Sequence, residues 1–159
     1  MSMIACYIGI GSNLGDAQAQ VERAIARLGQ LDDTRLTAQS SLFRTAPVDA
    51  GGDDYINAVA RIDTQLVPEQ LLRELQAIEL DFGRERPYRN APRTLDLDIL
   101  LYGTQVVSSS TLQITHPRMT QRAFVLIPLL QLDPFLTIPG QGPAHGFVPS
   151  VAGQAIRKI

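Results

Sequence analysis

The sequence predicts one α+β domain, a sandwich of helices on an antiparallel sheet, with a helical segment added at the C-terminus. Three observations support that class. Apolar residues alternate with period two in some stretches and recur at helical spacing in others. Along the chain these stretches fall in the order β-α-β-β-α-β, the split βαβ arrangement. The 159 residues, 45% hydrophobic and 19% charged, suffice for one proper core. No repeat, low-complexity tract or interdomain linker interrupts them, so residues 1–159 read as a single domain.

Each element has a local cause. Residues 3–10 are apolar and read as a buried first strand. Residues 11–15, Gly-Ser-Asn-Leu-Gly, read as a turn, after which Asp16 can cap a helix. Over 16–29, Val21, Ala24, Ile25 and Leu28 recur at helical spacing and Gly29 marks the end. The run from Gly9 to Leu14 invites a dinucleotide or phosphate loop, but Leu14 replaces the third glycine and no Walker lysine follows; a structural turn is the reading. A second strand over 34–44 puts Leu36, Ala38, Ser40 and Leu42 on one face. Pro47, Gly51 and Gly52 mark a loop over 45–54. In a third strand, 55–64, Ile56, Ala58, Ala60 and Ile62 alternate with Tyr55, Asn57, Val59 and Arg61. Pro68 suits the first turn of a helix over 68–81, whose core stripe is Leu71, Leu72, Leu75 and Ile78, with Gln76 and Glu79 on another face. A fourth strand covers 95–102. Gly103 opens a turn, strand-like pieces lie near 105–108 and 111–114, and a third helix spans 119–131, able to cover the sheet's other face. The tail is rich in Gly and Pro, with a short helix expected at 150–157.

Charge narrows the function. The net charge is −2 and the pI near 5.6, which speaks against a general binder of nucleic acid or anionic membrane. No stretch approaches the ~20 apolar residues of a membrane span. The N-terminus lacks the basic start and small-residue cleavage site of a secretory signal. A cytoplasmic protein is expected. Cys6 is the single cysteine, set in an apolar run, and reads as a buried small side chain.

The chemistry concentrates in residues 83–102. The first half holds Arg84, Arg86, Arg89 and Arg93 among loop formers; the second is a strand bearing Asp96 and Asp98. Two residues apart in a strand, these carboxylates share a face, with Cα atoms roughly 6–7 Å apart. Side by side they repel unless a cation lies between them, and Mg²⁺ takes such oxygen ligands while leaving positions for phosphate. Guanidinium groups pair bidentately with phosphate oxygens. Each half alone has a plainer reading: a solvated loop, and the polar face of a half-exposed sheet. Together, on a very apolar strand, they point to a meeting of cation and anion.

Residues 89–100, Arg-Asn-Ala-Pro-Arg-Thr-Leu-Asp-Leu-Asp-Ile-Leu, resemble the signature of the 6-hydroxymethyl-7,8-dihydropterin pyrophosphokinases of folate biosynthesis. Segments 10–14, 43–45, 54–57, Ile78 with Glu79, Gly83 with Arg84, His116 with Pro117, and 122–124 agree in order and spacing, so the resemblance covers roughly residues 4–135. It implies a ferredoxin-like βαββαβ core and transfer of pyrophosphate from ATP to the pterin's hydroxymethyl group, with AMP leaving. It implies two Mg²⁺ held by Asp96 and Asp98. On the ATP side it places Gln76, Arg84, Arg86, Arg93, Ile99, His116 and Arg122, with Arg84 and Arg93 as the catalytic arginines beside the two aspartates. Around the pterin it places Tyr55 and Phe124 on the two ring faces, Asn57 at the edge, and backbone groups of Thr45, Ala46 and Val48. Loops 45–54 and 83–93 would close over the substrates. ATP and the pterin are the implied partners, and a monomer is expected. The chain has no Trp, so Tyr88 would cover the site where some relatives use one.

Two other classes remain open on the residues alone. A binding module on the same fold would not need the carboxylate pair beside arginines, and magnesium-dependent ATP consumption separates it from the kinase. A nucleic-acid binder could stack bases on Tyr55 and Phe124, but it predicts a basic sheet face and salt-dependent RNA binding. Singly, Tyr55 reads as a core tyrosine, Phe124 as helix packing, and His116 and His145 as hydrogen-bonded structural residues.

Overall fold

The computed structural model describes residues 2–13, 15–46, 54–83 and 95–159. In chain order these form β1 (Ile4–Ser12), α1 (Ala17–Leu28), β2 (Thr34–Gln39), β3 (Phe43–Thr45), β4 (Tyr55–Thr64), α2 (Pro68–Asp81), β5 (Asp96–Tyr102), β6 (Val107–Ser108), β7 (Gln113–Ile114), α3 (Ala123–Leu132), β8 (Thr137–Ile138), β9 (Gly142–Pro143) and β10 (Ile156–Lys158). The main sheet has the order β10-β3-β4-β1-β5, with β2 also paired to β4, and every pairing is antiparallel.

Alternation along the central strands divides the interior in two. Cys6, Ile8 and Ile10 of β1 and Ile56, Ala58, Ala60 and Ile62 of β4 meet Val21, Ala24, Ile25 and Leu28 of α1 and Leu71, Leu75 and Ile78 of α2. On the sheet's other side Tyr7, Val59, Leu100 and Leu101 pack under Ala123, Val125, Leu126 and Leu129 of α3. Thus α1 and α2 cover one face and α3 part of the other. The Asp16 carboxylate accepts the Ala19 N–H at 3.2 Å to start α1, and Pro68 opens α2. Gly83, at φ +84, takes the left-handed conformation just past α2 that stops a helix.

The apolar run ending β5 does not alternate, because the strand carries a bulge. Tyr7 pairs with Leu101 and Ile8 with Ile99, leaving Leu100 as an extra residue. Before it Leu97 and Ile99 enter the helix-side core; beyond it Tyr102 does, while Leu100 and Leu101 fill the core under α3.

Three expectations need correcting. The second strand is not continuous over 34–44 but breaks at residues 40–42. There the Ser40 hydroxyl accepts the Val59 N–H at 2.9 Å, doing the work of a backbone carbonyl. Gln131 of α3 holds the break, accepting the Ser41 N–H and donating to its hydroxyl at 2.7 and 2.8 Å. In the tail no α-helix forms at 150–157. A 3-10 segment covers Ala144–Val151, with Pro149 inside it, and Ile156–Lys158 adds a strand to the edge of β3. The third helix starts later than expected, at Ala123, after a 3-10 turn at Met119–Gln121.

Cys6 is fully buried, and burial, aided by the charge of Asp63, pushes its thiol pKa up to about 12. A water-soluble disulfide reagent should therefore leave it unmodified in the folded protein and label one thiol per chain in denaturant. Rapid labelling without denaturant would show that β1 opens locally. Among the described residues no helix is long and apolar enough to cross a membrane.

Candidate active site

Cross-strand partners project to the same side of a sheet. Register therefore assembles one row across four strands: Phe43, Asn57, Gly11 and Asp96, from β3, β4, β1 and β5. A second row holds Val59, Gly9 and Asp98. Thr45 and Tyr55 face each other one row further out. Val59 belongs to the core under α3, so all these residues lie on the face turned away from α1 and α2. Asp96 and Asp98 share that face; Asp96 is half-buried and Asp98 exposed.

Only Gly11 separates Asn57 from Asp96 along their row. Two strand spacings put the residues about 10 Å apart. A Cβ at Gly11 would come within 2.9 Å of the Asn57 Nδ2, and one at Gly9 within 3.4 Å of the Leu100 side chain. The two glycines thus make a low floor between taller walls. Gly9 lies inside the strand expected over 3–10, while the turn expected over 11–15 does not begin at Gly11, for β1 continues through Ser12. A glycine at alternate positions of a buried strand is the signal for such a close approach.

Asn57 is buried, and its Oδ1 accepts the Thr45 hydroxyl at 2.6 Å. That bond orients the amide and leaves Nδ2 as its donor end. Thr45 was expected to act through its backbone; its side chain also sets Asn57. Tyr55 is half-buried beside them, and Ala46 follows β3 directly, exposed.

His116 lies against β5, its N–H donating to the Leu100 carbonyl at 3.4 Å. Its pKa falls below the ordinary imidazole value, mainly through burial, with Arg122 and Arg118 adding to the fall and Asp98 opposing it. Neutral at pH 7, the ring accepts the Arg118 N–H on Nδ1 at 3.2 Å, so its hydrogen resides on Nε2 as a donor. The Arg122 guanidinium lies over the Phe124 ring, 5.3 Å from its centroid. The structure thus brings Asp98 and Arg122 both within electrostatic reach of His116.

Gln76 is exposed on α2, in the layer behind the sheet, and the Ile99 side chain is buried in the core on that side. Neither side chain stands on the carboxylate face. Arg84, Arg86, Arg93 and Val48 lie outside the described residues, as do Tyr88, Arg89 and most of both loops expected to close.

Glu79 departs from its expected place on a face other than the core stripe. It is only 3% exposed, and its Oε2 accepts the Leu97 N–H at 2.9 Å. Leu97 stands between the two aspartates, so a buried carboxylate from α2 grips the strand that presents them. Away from this face, a groove between α1 and the end of α2 is lined by Gln20, Arg23, Arg27, Asp81 and Phe82 and closed by an Arg27–Asp81 ion pair of 2.8 Å.

In class the protein is a kinase, a transferase acting on a small molecule. More particularly, the chain belongs to the 7,8-dihydro-6-hydroxymethylpterin-pyrophosphokinase family, whose profile matches residues 7–134. It is 44% identical over 138 residues to the 2-amino-4-hydroxy-6-hydroxymethyldihydropteridine pyrophosphokinase of Haemophilus influenzae, covering 86% of each chain. The Pseudomonas aeruginosa protein of the same name is 46% identical over 134 residues, covering 84% of this chain and 83% of its own. A crystal structure of Plasmodium falciparum HPPK-DHPS with pteroate superposes with a TM-score of 0.78 at 11% identity, over 99% of this chain and 46% of that one. At that identity the likeness is one of fold.

Proposed function

We propose that this chain transfers the pyrophosphoryl group of ATP to 6-hydroxymethyl-7,8-dihydropterin, as a single catalytic domain over 1–159, monomeric and cytoplasmic. The strand order, with both connecting helices on one face, supports a ferredoxin-like βαββαβ core. The observation that carries the reading is the row Asn57–Gly11–Asp96, which sets a polar ring-edge reader and a carboxylate on one face with a glycine floor between.

The donor set fits Mg²⁺. Two carboxylates share a face, and among the described residues no third His, Cys, Asp or Glu joins them as a closed site would require. Mg²⁺ commonly binds one or two carboxylates and takes its remaining ligands from water and substrate phosphates. Asp96 and Asp98 would hold two such ions, which when bound supply neutralisation of phosphate charge and acidify the attacking hydroxyl. The hydroxymethyl oxygen forms a bond to the β-phosphorus of ATP. The bond from that phosphorus to the α-bridging oxygen breaks, AMP departs and the hydroxyl proton is lost. The protein's own task is positioning and charge. Arg122 and the His116 Nε2–H face the anion, joined in this reading by Arg84, Arg86 and Arg93. The Leu97 N–H points to the open edge of β5 toward Glu79, and alternation turns the Ile99 N–H and C=O the same way. Ile99 would thus meet the nucleotide through its backbone, near Gln76.

On the pterin side Tyr55 and Phe124 stack and Asn57 reads the ring edge, with Thr45, Ala46 and Val48 completing the pocket. Asn57→Ala should weaken pterin binding by about 1–3 kcal/mol, the cost of an unpaired polar edge. Tyr55→Ala and Phe124→Ala should cost a comparable amount through lost burial and stacking. Calorimetric titration with an ATP analogue and then pterin checks this; loss of nucleotide affinity with pterin affinity kept in Asn57→Ala would reverse the placement of the two substrates. The reaction itself is tested by product analysis. AMP should form from ATP only when hydroxymethyl-dihydropterin and Mg²⁺ are both present, and pterin-independent hydrolysis would overturn the assignment.

A further inference from the structure

Helix α3 presents Phe124 from its first turn and has Arg122 at its N-cap position. A helix start leaves backbone N–H groups in need of acceptors, normally supplied by a Ser, Thr, Asp or Asn side chain at the cap. Arg122 carries donors only, and it makes no side-chain cap bond. Its guanidinium lies over the Phe124 ring instead.

The missing acceptor comes from 31 residues further along. The Ala123 N–H donates to Gln154 Oε1 at 2.8 Å. The Nε2 of the same amide donates to the Gln121 carbonyl, also at 2.8 Å. One planar side chain therefore ties down the peptide groups on both sides of Arg122, where the backbone turns from the 3-10 segment through an extended residue (φ −128, ψ 116) into α3. Just past Gln154 the tail becomes β10. Ile156 pairs with Thr45 and Lys158 with Phe43, and the Ile159 N–H donates to the Leu42 carbonyl at 3.0 Å. The same short tail thus touches the α3 entry and the strand whose Thr45 orients Asn57. It lies beyond residues 7–134, the part of the chain that matches the family profile.

We propose that Gln154 is a positioning residue for the reaction: by holding the peptide groups on both sides of Arg122 at the start of α3, it sets the Arg122 guanidinium toward the nucleotide and fixes Phe124 against the pterin. The inference rests on the assignment of Arg122 and Phe124 made above. The alternative is that the tail merely adds stability, and the two differ in what they do to a folded protein. A stabilising contact lowers the melting temperature and leaves affinity at 25 °C unchanged. A positioning contact changes affinity and KM well below the melting transition.

The test uses the full chain with Gln154→Leu, Gln154→Glu and, as a control on the assignment, Phe124→Ala. Pterin affinity is measured by calorimetry with a non-hydrolysable ATP analogue and Mg²⁺ present, and KM and kcat at 25 °C, where each variant is folded by circular dichroism. Gln154→Leu loses donor and acceptor at similar size and should weaken pterin binding and raise its KM by about three- to tenfold, the scale of a lost helix cap. Gln154→Glu keeps an acceptor for the Ala123 N–H and adds a charge favoured at a helix N-terminus, but it sets a carboxylate oxygen against the Gln121 carbonyl in place of a donor. It should recover part of the affinity. Unchanged affinity and KM in Gln154→Leu, while Phe124→Ala loses pterin affinity, would overturn the positioning role and leave the site assignment standing. Normal pterin binding by Phe124→Ala would instead bring down the assignment beneath the inference.

Discussion

Turnover should fall by roughly a thousandfold or more in Asp96→Ala and in Asp98→Ala, because on the proposed reading each would lose a metal ligand worth several kcal/mol of transition-state charge stabilisation. The fold should survive both changes. Neither carboxylate belongs to the two cores, and β5 is held by its pairing to β1 and by the packing of Leu97, Ile99, Leu100 and Leu101. Relief of repulsion between neighbouring carboxylates offsets part of whatever contacts are lost. Asp→Asn keeps the shape and removes the charge, so it should lose nearly as much turnover as alanine does. A side effect through His116 can be separated. Asp98 acts to raise the imidazole pKa, so its removal leaves His116 still more firmly neutral at pH 7 and its Nε2–H donor intact. A loss of rate in Asp98→Asn therefore reports on the carboxylate itself. The measurement is kcat at saturating Mg²⁺ and substrates, with circular dichroism as the check on folding. Near-normal kcat in either variant would remove the two-metal assignment.

Much of the candidate site's geometry is legible in the sequence, and the reason is local. The pair Asp96 and Asp98 needs only strand alternation to be set on one face. The same rule, applied to 55–64, puts Tyr55 and Asn57 together, and that strand forms with the predicted bounds. Helix α2 likewise spans the predicted residues, because Pro68 and the stripe of Leu71, Leu75 and Ile78 state both its start and its buried face. What escaped depends on partners distant in sequence. Gly11 looks like a turn residue until the register puts Asn57 and Asp96 on either side of it. Ser40 breaks a strand only because Val59 stands ready to donate to its hydroxyl. Residues 156–158 have weak strand character of their own, and the free edge of β3 recruits them. No pattern in the chain announces that Gln154 will cap a helix begun 31 residues earlier. Alternation alone does not give the faces of Leu100 and Leu101, because a bulge changes the parity of β5.

The second large effect is one of stability, at Glu79. Helical spacing alone sets Glu79 beside Gln76 on a face other than the core stripe, yet it is 3% exposed. A carboxylate is costly to bury unless strong hydrogen bonds hold it, and a backbone N–H given to a charged acceptor is worth more than one given to a neutral one. The Leu97 N–H, at 2.9 Å, is such a donor. It belongs to a strand at the edge of the sheet, on the side where, among the described residues, no further strand pairs with it. Alanine at position 79 would strand that N–H in a buried setting and leave a gap between α2 and β5. An unsatisfied buried donor together with the lost side chain should cost about 2–4 kcal/mol. For a chain of this size that lowers the melting temperature on the order of 5–15 °C. Glu79→Gln keeps an acceptor oxygen at the same reach and sheds the charge. Its desolvation cost is smaller and its hydrogen bond weaker, so it should stay within about 1 kcal/mol of the parent. The ranking, parent close to Gln and both well above Ala, is read from thermal unfolding of the three proteins. Should Glu79→Ala melt with the parent, the contact to Leu97 contributes nothing, and β5 is held in place by its pairing with β1 and its core side chains alone.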